Sequence, residues 1–414
     1  MKKIFILGAS ALQVPAIKRA KEKGLYVYAL DYDPEAVGIK DADEFLCIST
    51  IDKEAVLEAA KKYEPDYIIT STSDMPVRTV AWVNEQLGRD NDISYENSIC
   101  ATDKAAMRRR MKENGVPIPE FHVVADADEY LEAMRALGNR FVCKPADNAA
   151  SRGVVLVDVT KIRQSLDGDE NAIRKELLDI YTYTRGYSRS GEVLLEEFME
   201  GPEVSVESFT VDSVTHIITI TDKMVTEIPF FVETGHTEPS RLPKEAQDDI
   251  RRVAEAAIKA VGIKNGPSHT EIKLTPNGAK LVEIAARLGG DFITSRLVPL
   301  STGVDLIDCC ISSTLGEDVK WHATKNEGAA IRFLYSAKAG DRTEGVIESV
   351  SGVEEAKSMP GVTEVCIYKA VGDRAGSLKN SGDRWGHVIA TGKNAEEASK
   401  NAEKAAENIQ FVIK

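Results

Sequence analysis

Residues capable of chemistry concentrate in one stretch, His269-Thr-Glu-Ile-Lys-Leu-Thr-Pro-Asn-Gly-Ala-Lys-Leu-Val-Glu-Ile-Ala-Ala-Arg287. Pro276-Asn277-Gly278 reads as a three-residue hairpin loop with Gly278 in the left-handed position. That register pairs Thr275 with Ala279, Lys273 with Leu281 and Glu271 with Glu283. Two carboxylates then face each other across adjacent strands, and Arg287 falls on the same face by period two. Directly opposed like charges are destabilising unless a cation lies between them. A divalent ion with oxygen ligands, most simply Mg2+ carrying substrate phosphates, removes that repulsion. The competing reading is two glutamates on a solvated face. Ile272, Leu274, Val282 and Ile284 argue against it, because they bury one face and leave the other to line a site.

The positive charge for phosphates comes from Lys104, at a helix start after Thr102 as N-cap, and Lys144, which ends an apolar strand before Pro145. A lysine at a helix start is ordinarily a surface charge, whereas one ending a buried strand often points into a cleft. The loop over residues 145–154 can cover phosphates with backbone N–H groups and a serine hydroxyl, although it is poor in glycine. Leu194-Leu-Glu-Glu-Phe-Met-Glu-Gly-Pro-Glu203 ends an apolar strand in a Gly-Pro turn. Backbone groups there can read an adenine edge, with Glu203 accepting from ribose hydroxyls; alone, the segment would read as a hairpin with exposed acids. Arg287-Leu-Gly-Gly-Asp291 leads into a helical stretch, so Gly289 and Gly290 can offer N–H groups to an anion. His236, in a turn-rich loop, and His269, on the Glu271 face, are candidates for touching substrate. The Cys309–Cys310 pair sits in an apolar helix and reads as core.

Such a set must be positioned by several elements, and the chain is long enough to supply them. Its 414 residues, 43% hydrophobic and 29% charged, predict two or three domains. With 52 Lys+Arg against 66 Asp+Glu the net charge is −14, which disfavours binding nucleic acid or anionic membranes through bulk charge. Six cysteines without a Cys-x-x-Cys pair read as reduced thiols of a cytoplasmic protein. The opening MKKIFILGAS lacks a cleavage site and reads as a first strand rather than a signal peptide.

Residues 1–98 alternate strands and helices, predicting βαβ units in a doubly wound parallel sheet. Gly8-Ala-Ser-Ala-Leu-Gln13 follows the first strand but lacks the second and third glycines of a dinucleotide loop, so it reads as a structural turn, and Asp31 as a turn or cap residue. From residue 141 onward, period-two strands joined by short loops predict an antiparallel sheet, interrupted by a charged helical insertion over 160–190 and an amphipathic helix over 244–262. A third unit of four strands and one helix begins near residue 326.

Taken in order, Lys104, Lys144, Glu196-Glu-Phe-Met-Glu-Gly-Pro-Glu203, Glu271, Glu283 and Arg287 resemble the ATP-grasp superfamily. The resemblance covers nearly the whole chain. It implies a pre-ATP-grasp domain over 1–98, an ATP-grasp domain over 99–325 and a small α+β C-terminal domain over 326–414, arranged as in the biotin-carboxylase-like branch. It also implies that Lys104 and Lys144 hold ATP phosphates, with Ser151 and Gly153 closing over them. Glu196 would meet the adenine amino group, Glu197, Phe198 and Met199 would line the adenine pocket, and Glu203 would take the ribose. Glu271 and Glu283 would bind Mg2+ or Mn2+, and Arg287 would steady the transferring phosphate and the substrate carboxylate.

There are two departures: Ala285 stands where the family often has a metal-binding Asn, and residues 148–150 lack the usual glycines. Gly235-His236, Pro239-Ser240, His269-Thr-Glu271 and Arg287-Leu-Gly-Gly-Asp291 look most like the L-amino-acid ligase (dipeptide-synthase) branch of the carboxylate–amine ligases. The resemblance therefore implies an enzyme joining a small-molecule carboxylate to an amine through an acyl phosphate, as a homodimer, without nucleic acid or membrane. A carboxyphosphate-forming subunit and a non-catalytic nucleotide-binding protein of the same fold are the alternatives. There is no biotin-attachment Met-Lys-Met segment.

Overall fold

The computed structural model describes residues 1–89, 92–147, 152–226, 231–335 and 344–414. Among these residues the mixed α/β and α+β architecture expected from the sequence is present, in four sheets. A parallel sheet is built around Lys3–Leu7, in which Ile4, Phe5, Ile6 and Leu7 are fully buried. This strand pairs with Tyr26–Asp31 on one side and Tyr67–Ile69 on the other. Glu44–Cys47, which the sequence did not reveal, extends the sheet beyond Tyr26–Asp31. It is an edge strand with exposed ends, so its four residues carry no clear alternation.

The period-two strands form two antiparallel sheets rather than one. The smaller has the order Phe121–Val124, Val193–Glu197, Arg140–Pro145, Val155–Asp158, and packs its apolar face on helices Ala127–Leu137 and Glu170–Arg185. The larger has eight strands, in the order Gly278–Ala285, Gly266–Thr275, Glu203–Val211, Val214–Val225, Glu233–Glu238, Gly328–Leu334, Gly386–Gly392, Val362–Ile367. It runs across residue 326, so strands on both sides of that point share one sheet.

The chain passes from the small sheet to the large one at Gly201-Pro202, where Gly201 has φ +126° and a Cβ would stand 2.0 Å from the Leu274 carbonyl oxygen. Only glycine fits that crossing. Helix Lys244–Val261 lies on the large sheet, burying Ile250, Val253, Ala254, Ala257, Ile258 and Val261 at helical spacing before Gly262 stops it. Among the described residues no helix is long and apolar enough to cross a membrane.

Helix Lys104–Glu113 carries the first of the expected phosphate lysines. Its N-cap is Asp103, whose side chain accepts the Ala106 N–H at 2.8 Å, and not Thr102 as expected. Thr102 is committed to the helix before: its hydroxyl donates to the Ser98 carbonyl at 2.7 Å and accepts from Arg78. Asp103→Ala is therefore expected to cost about 1 kcal/mol, and Asp103→Asn only a small fraction of that, by urea unfolding.

Candidate functional site

The hairpin reaches the expected carboxylate pair by a different route. Its loop has two residues, Pro276 and Asn277, and Thr275 pairs with Gly278, Leu274 with Ala279, Lys273 with Lys280 and Ile272 with Leu281. The expected pairs Thr275–Ala279 and Lys273–Leu281 are thus each off by one. A bulge at Val282 then takes up one residue and sets Glu271 opposite Glu283. The Val282 carbonyl accepts from Arg108 Nη2 at 2.9 Å.

Both carboxylates line a cleft of about 260 Å³, together with Lys104, Lys144, Glu196, Glu203, His269 and Arg287. Every acid on this list has a cationic partner. Lys104 Nζ lies 2.9 Å from Glu283 Oε1. Lys144 Nζ is 2.6 Å from Glu196 Oε2, whose Oε1 meets Arg108 Nε at 2.5 Å. Arg287 Nε is 2.6 Å from Asp74 Oδ1, contributed by the parallel-sheet unit. Lys223 Nζ bonds Glu203 and Glu271 at 2.9 Å each and approaches Glu233 at 3.4 Å. His269 Nδ1 is 2.5 Å from Glu207 Oε1, and its Nε2 faces Glu271 at 3.6 Å.

These contacts set the protonation states. Burial alone would raise the Glu196 carboxyl, but Arg108 and Lys144 overcome it and hold it at about 2. Burial likewise opposes ionisation of Glu271, yet Lys223 and His269 keep it well below the usual carboxylate range. His269 is pushed up to about 9, because Glu207 and Glu271 outweigh its desolvation. Lys223 stands well above its ordinary value against the same burial penalty, through Glu203, Glu271 and Glu233. Lys144 goes the other way: burial, with Arg108 and Lys104 nearby, lowers it despite Glu196.

The expected adenine segment lies on this cleft. Glu197 is held by Lys280 Nζ at 2.8 Å, Phe198 lies under the Arg140 guanidinium at 4.1 Å, and Met199 is buried. Glu196, expected to meet an adenine amino group, has both carboxylate oxygens engaged by Arg108 and Lys144 and serves to hold that lysine in the cleft. Gly153 is buried against Tyr187, and its carbonyl accepts from Thr184 at 3.0 Å. Ser151, with residues 148–150 of the expected covering loop, lies outside the described residues.

Two further expectations need correction. His236 is not in a loop but in strand Glu233–Glu238, buried, with Nε2 3.4 Å from Asp291 Oδ2. Asp291 is in turn gripped by Arg384 Nη1 and Nη2 at 2.8 Å each, so His236 belongs to a buried brace between the large sheet and residues near the C-terminus. Gly289 does not open a helix over an anion. It packs on the Glu207–His269 pair, where a Cβ would come within 2.7 Å of Glu207 Oε1. Gly290 lines a small neighbouring cavity, and its carbonyl accepts from Ile293 N–H at 2.9 Å.

Asp74, Arg108, Glu207, Lys223 and Glu233 escaped the sequence reading. Glu207 pairs directly with His269 across strands, which only the strand order reveals. Asp74 follows strand Tyr67–Ile69 at the carboxyl end of the parallel sheet, where ligands of such sheets gather. Lys223 did leave a signal, as a lone cation in the apolar alternation of residues 214–225.

Among the described residues no group of three or more His, Cys, Asp or Glu could hold a metal unaided. Glu271 and Glu283 supply two hard oxygen donors, and Ala285, opposite His269, supplies none. That donor set fits Mg2+ or Mn2+ when phosphate oxygens and water complete the coordination.

Residues 137–295 match the ATP-grasp domain family and residues 332–414 the L-amino acid ligase C-terminal domain 2. The uncharacterized protein y4rH of Sinorhizobium fredii is 29% identical over 318 residues, 75% of this chain and 61% of its own length. Alanine–anticapsin ligase of Bacillus subtilis is 28% identical over 250 residues, 57% of this chain and 51% of its own. The chain thus spans between half and two thirds of these relatives. Among solved structures, the L-amino acid ligase from Bacillus licheniformis superposes with a TM-score of 0.81 at 19% identity, covering 100% of this chain and 99% of that one.

Two outcomes follow from the geometry. Glu196 sits at about 2 in the folded chain against an ordinary 4.5, so its stabilisation is complete above pH 4.5 and is lost as pH falls toward 2. Glu196→Gln leaves Lys144 and Arg108 buried without their charge partner. It should cost about 3–5 kcal/mol at neutral pH and flatten the acid limb of a urea–pH stability surface. Gly289→Ala should disrupt the Glu207–His269 pair and lower the melting temperature, whereas Gly290→Ala, with no atom within 4 Å of its Cβ, should not.

Proposed function

We propose that this chain, which carries an ATP-grasp domain followed by an L-amino acid ligase C-terminal domain, is an ADP-forming carboxylate–amine ligase dependent on ATP and Mg2+. The observation that carries the reading is the convergence of Lys104, Lys144, Arg287 and the opposed pair Glu271–Glu283 on one cleft lined by Phe198 and Met199. The carboxylate substrate is a small amino acid or a related acid. Support for that class comes from the matched C-terminal domain and from a relative named as an alanine–anticapsin ligase.

In this reading the substrate carboxylate attacks the γ-phosphorus of ATP, forming an acyl phosphate and releasing ADP. An amine then attacks the acyl carbon and expels phosphate. No side-chain nucleophile is needed, so the chain's task is positioning and charge neutralisation. Lys104 and Lys144 hold the phosphates. Arg287, oriented by Asp74, steadies the transferring phosphoryl group and the carboxylate. Glu203 accepts from the ribose, and Glu271 with Glu283 holds Mg2+. When bound, the ion offsets phosphate charge and aligns the oxygens for transfer. A homodimer in the cytoplasm completes the reading, resting on the resemblance and the unpaired thiols.

A second reading, a nucleotide-binding protein without turnover, is favoured by one residue, Ala285, which offers no metal ligand where the family often has Asn. Pairwise screening of amino acids for phosphate release, with product mass, separates the two. Tight ATP·Mg2+ binding without phosphate release across the panel would favour the second. For the ligase, Glu283→Gln should lower Mg2+-dependent ATP turnover by about 100-fold or more with the melting temperature retained. Near-normal turnover in that variant would remove the metal-site argument.

A further inference from the structure

A second and larger cleft, of about 540 Å³, opens beside the first and shares Asp74, Lys104, Arg152 and Glu283 with it. It lies at the carboxyl ends of the parallel strands, where open α/β sheets take their ligands. Its walls differ in charge. The wall from residues 1–98 carries hydroxyls, an amide and the acids Asp31 and Asp74, with no lysine or arginine. The facing wall brings the cations Lys104, Arg152 and Arg189 together with the acids Asp147 and Glu283.

The two acids are not alike. Asp74 is paired with Arg287. Asp31, only 8% exposed, accepts the Ala9 N–H at 2.8 Å and the Asp33 N–H at 3.1 Å, and no ion pair to it occurs among the described residues. Two backbone donors fix the carboxylate and leave its charge uncancelled. The wall between the acids is stiff: Ser10 Oγ donates to Gln13 Oε1 at 2.6 Å, and Gln13 Nε2 donates to Thr72 and Ser73 at 2.7 and 3.0 Å. Gln13 also fills the space over Gly8, where a Cβ would already meet it at 3.0 Å. The turn that would cradle a phosphate in a dinucleotide fold is therefore closed by a side chain.

We propose that this cleft seats the amine substrate, and that this substrate carries a second positive group, as a basic amino acid or a diamine does, which pairs with Asp31. The inference rests on the ligase reading for the word substrate. The edge shared with the first cleft brings the reacting amine to the acyl phosphate, while Asp31 holds the distal cation. A cation–carboxylate contact in a partly buried cleft is strong and selective. A phosphate seated against that wall would meet an uncompensated acid with no cation beside it, and is disfavoured there.

The test is calorimetric binding to the full chain of L-lysine, its uncharged near-isostere L-norleucine, and O-phospho-L-serine. Lysine should bind at least about tenfold more tightly than norleucine, with phosphoserine weakest. Asp31→Asn and Tyr32→Lys should each abolish the preference. The second places a cation at the mouth of the cleft from a side chain that is 75% exposed, so it leaves the core untouched. Equal binding of lysine and norleucine, tighter binding of phosphoserine, or a preference that survives both variants overturns the proposal. Phosphate release with the same amines separates it from the reading it rests on. If neutral amines drive release as well as lysine does, the ligase stands and the Asp31 site falls. If no amine drives release yet Asp31-dependent lysine binding persists, the site stands and the ligase falls.

Discussion

The repulsion between Glu271 and Glu283, paired on neighbouring strands, is the constraint around which the rest of the chain is organised. Two carboxylates at that spacing need positive charge close by. The chain delivers it from separate elements: Lys104 from a helix start, Lys223 from a strand two places along the same sheet, and His269 braced by Glu207. Each cation is partly desolvated, so each needs its own acid in turn. The result is an alternating lattice of charge rather than isolated pairs. Removing a fully buried member such as Glu207 leaves its neighbour uncompensated, and in a low-dielectric cleft that costs more than the lost contact.

The same lattice joins parts of the chain that are distant in sequence. Arg287, at the end of the hairpin, is held by Asp74 of the parallel-sheet unit. Four residues on, Asp291 is held by Arg384 from near the C-terminus, with His236 behind it. The short segment 287–291 is thus where three regions meet, and Gly289 within it leaves room for the Glu207–His269 pair.

Much of this was legible in sequence because it depends on local pattern. The strand–helix alternation of residues 1–98, the long amphipathic helix and the order of the lysines and glutamates are carried by composition and spacing. What stayed hidden depends on tertiary arrangement. Glu207 gains its meaning only from lying beside His269 on an adjacent strand, and Asp74 only from the order of the parallel sheet. His236 was misread as a loop residue because the polar, glycine-containing run Glu-Thr-Gly-His-Thr-Glu looks like a turn. The strand is nevertheless buried in mid-sheet, where its polar side chains find partners. The division of the antiparallel strands between two sheets was invisible because alternation reports burial of a face and not which sheet the face belongs to.

The hairpin also keeps a count. Eleven residues separate Glu271 from Glu283, an odd number. In a ladder of period two, an odd interval can bring its ends face to face only if loop and bulge residues together are odd in number. A three-residue loop alone meets that condition, and so does the two-residue loop with one bulge that the chain uses. The two solutions are equivalent for the glutamates but not for Arg108, which takes its carbonyl from the bulged residue while holding Glu196 beside Lys144. At the same eleven-residue interval, a three-residue loop could keep the facing carboxylates only by ironing out the bulge, and would thereby loosen the lysine on the far side of the cleft. Parity in one turn is in this way tied to the placement of charge in another sheet.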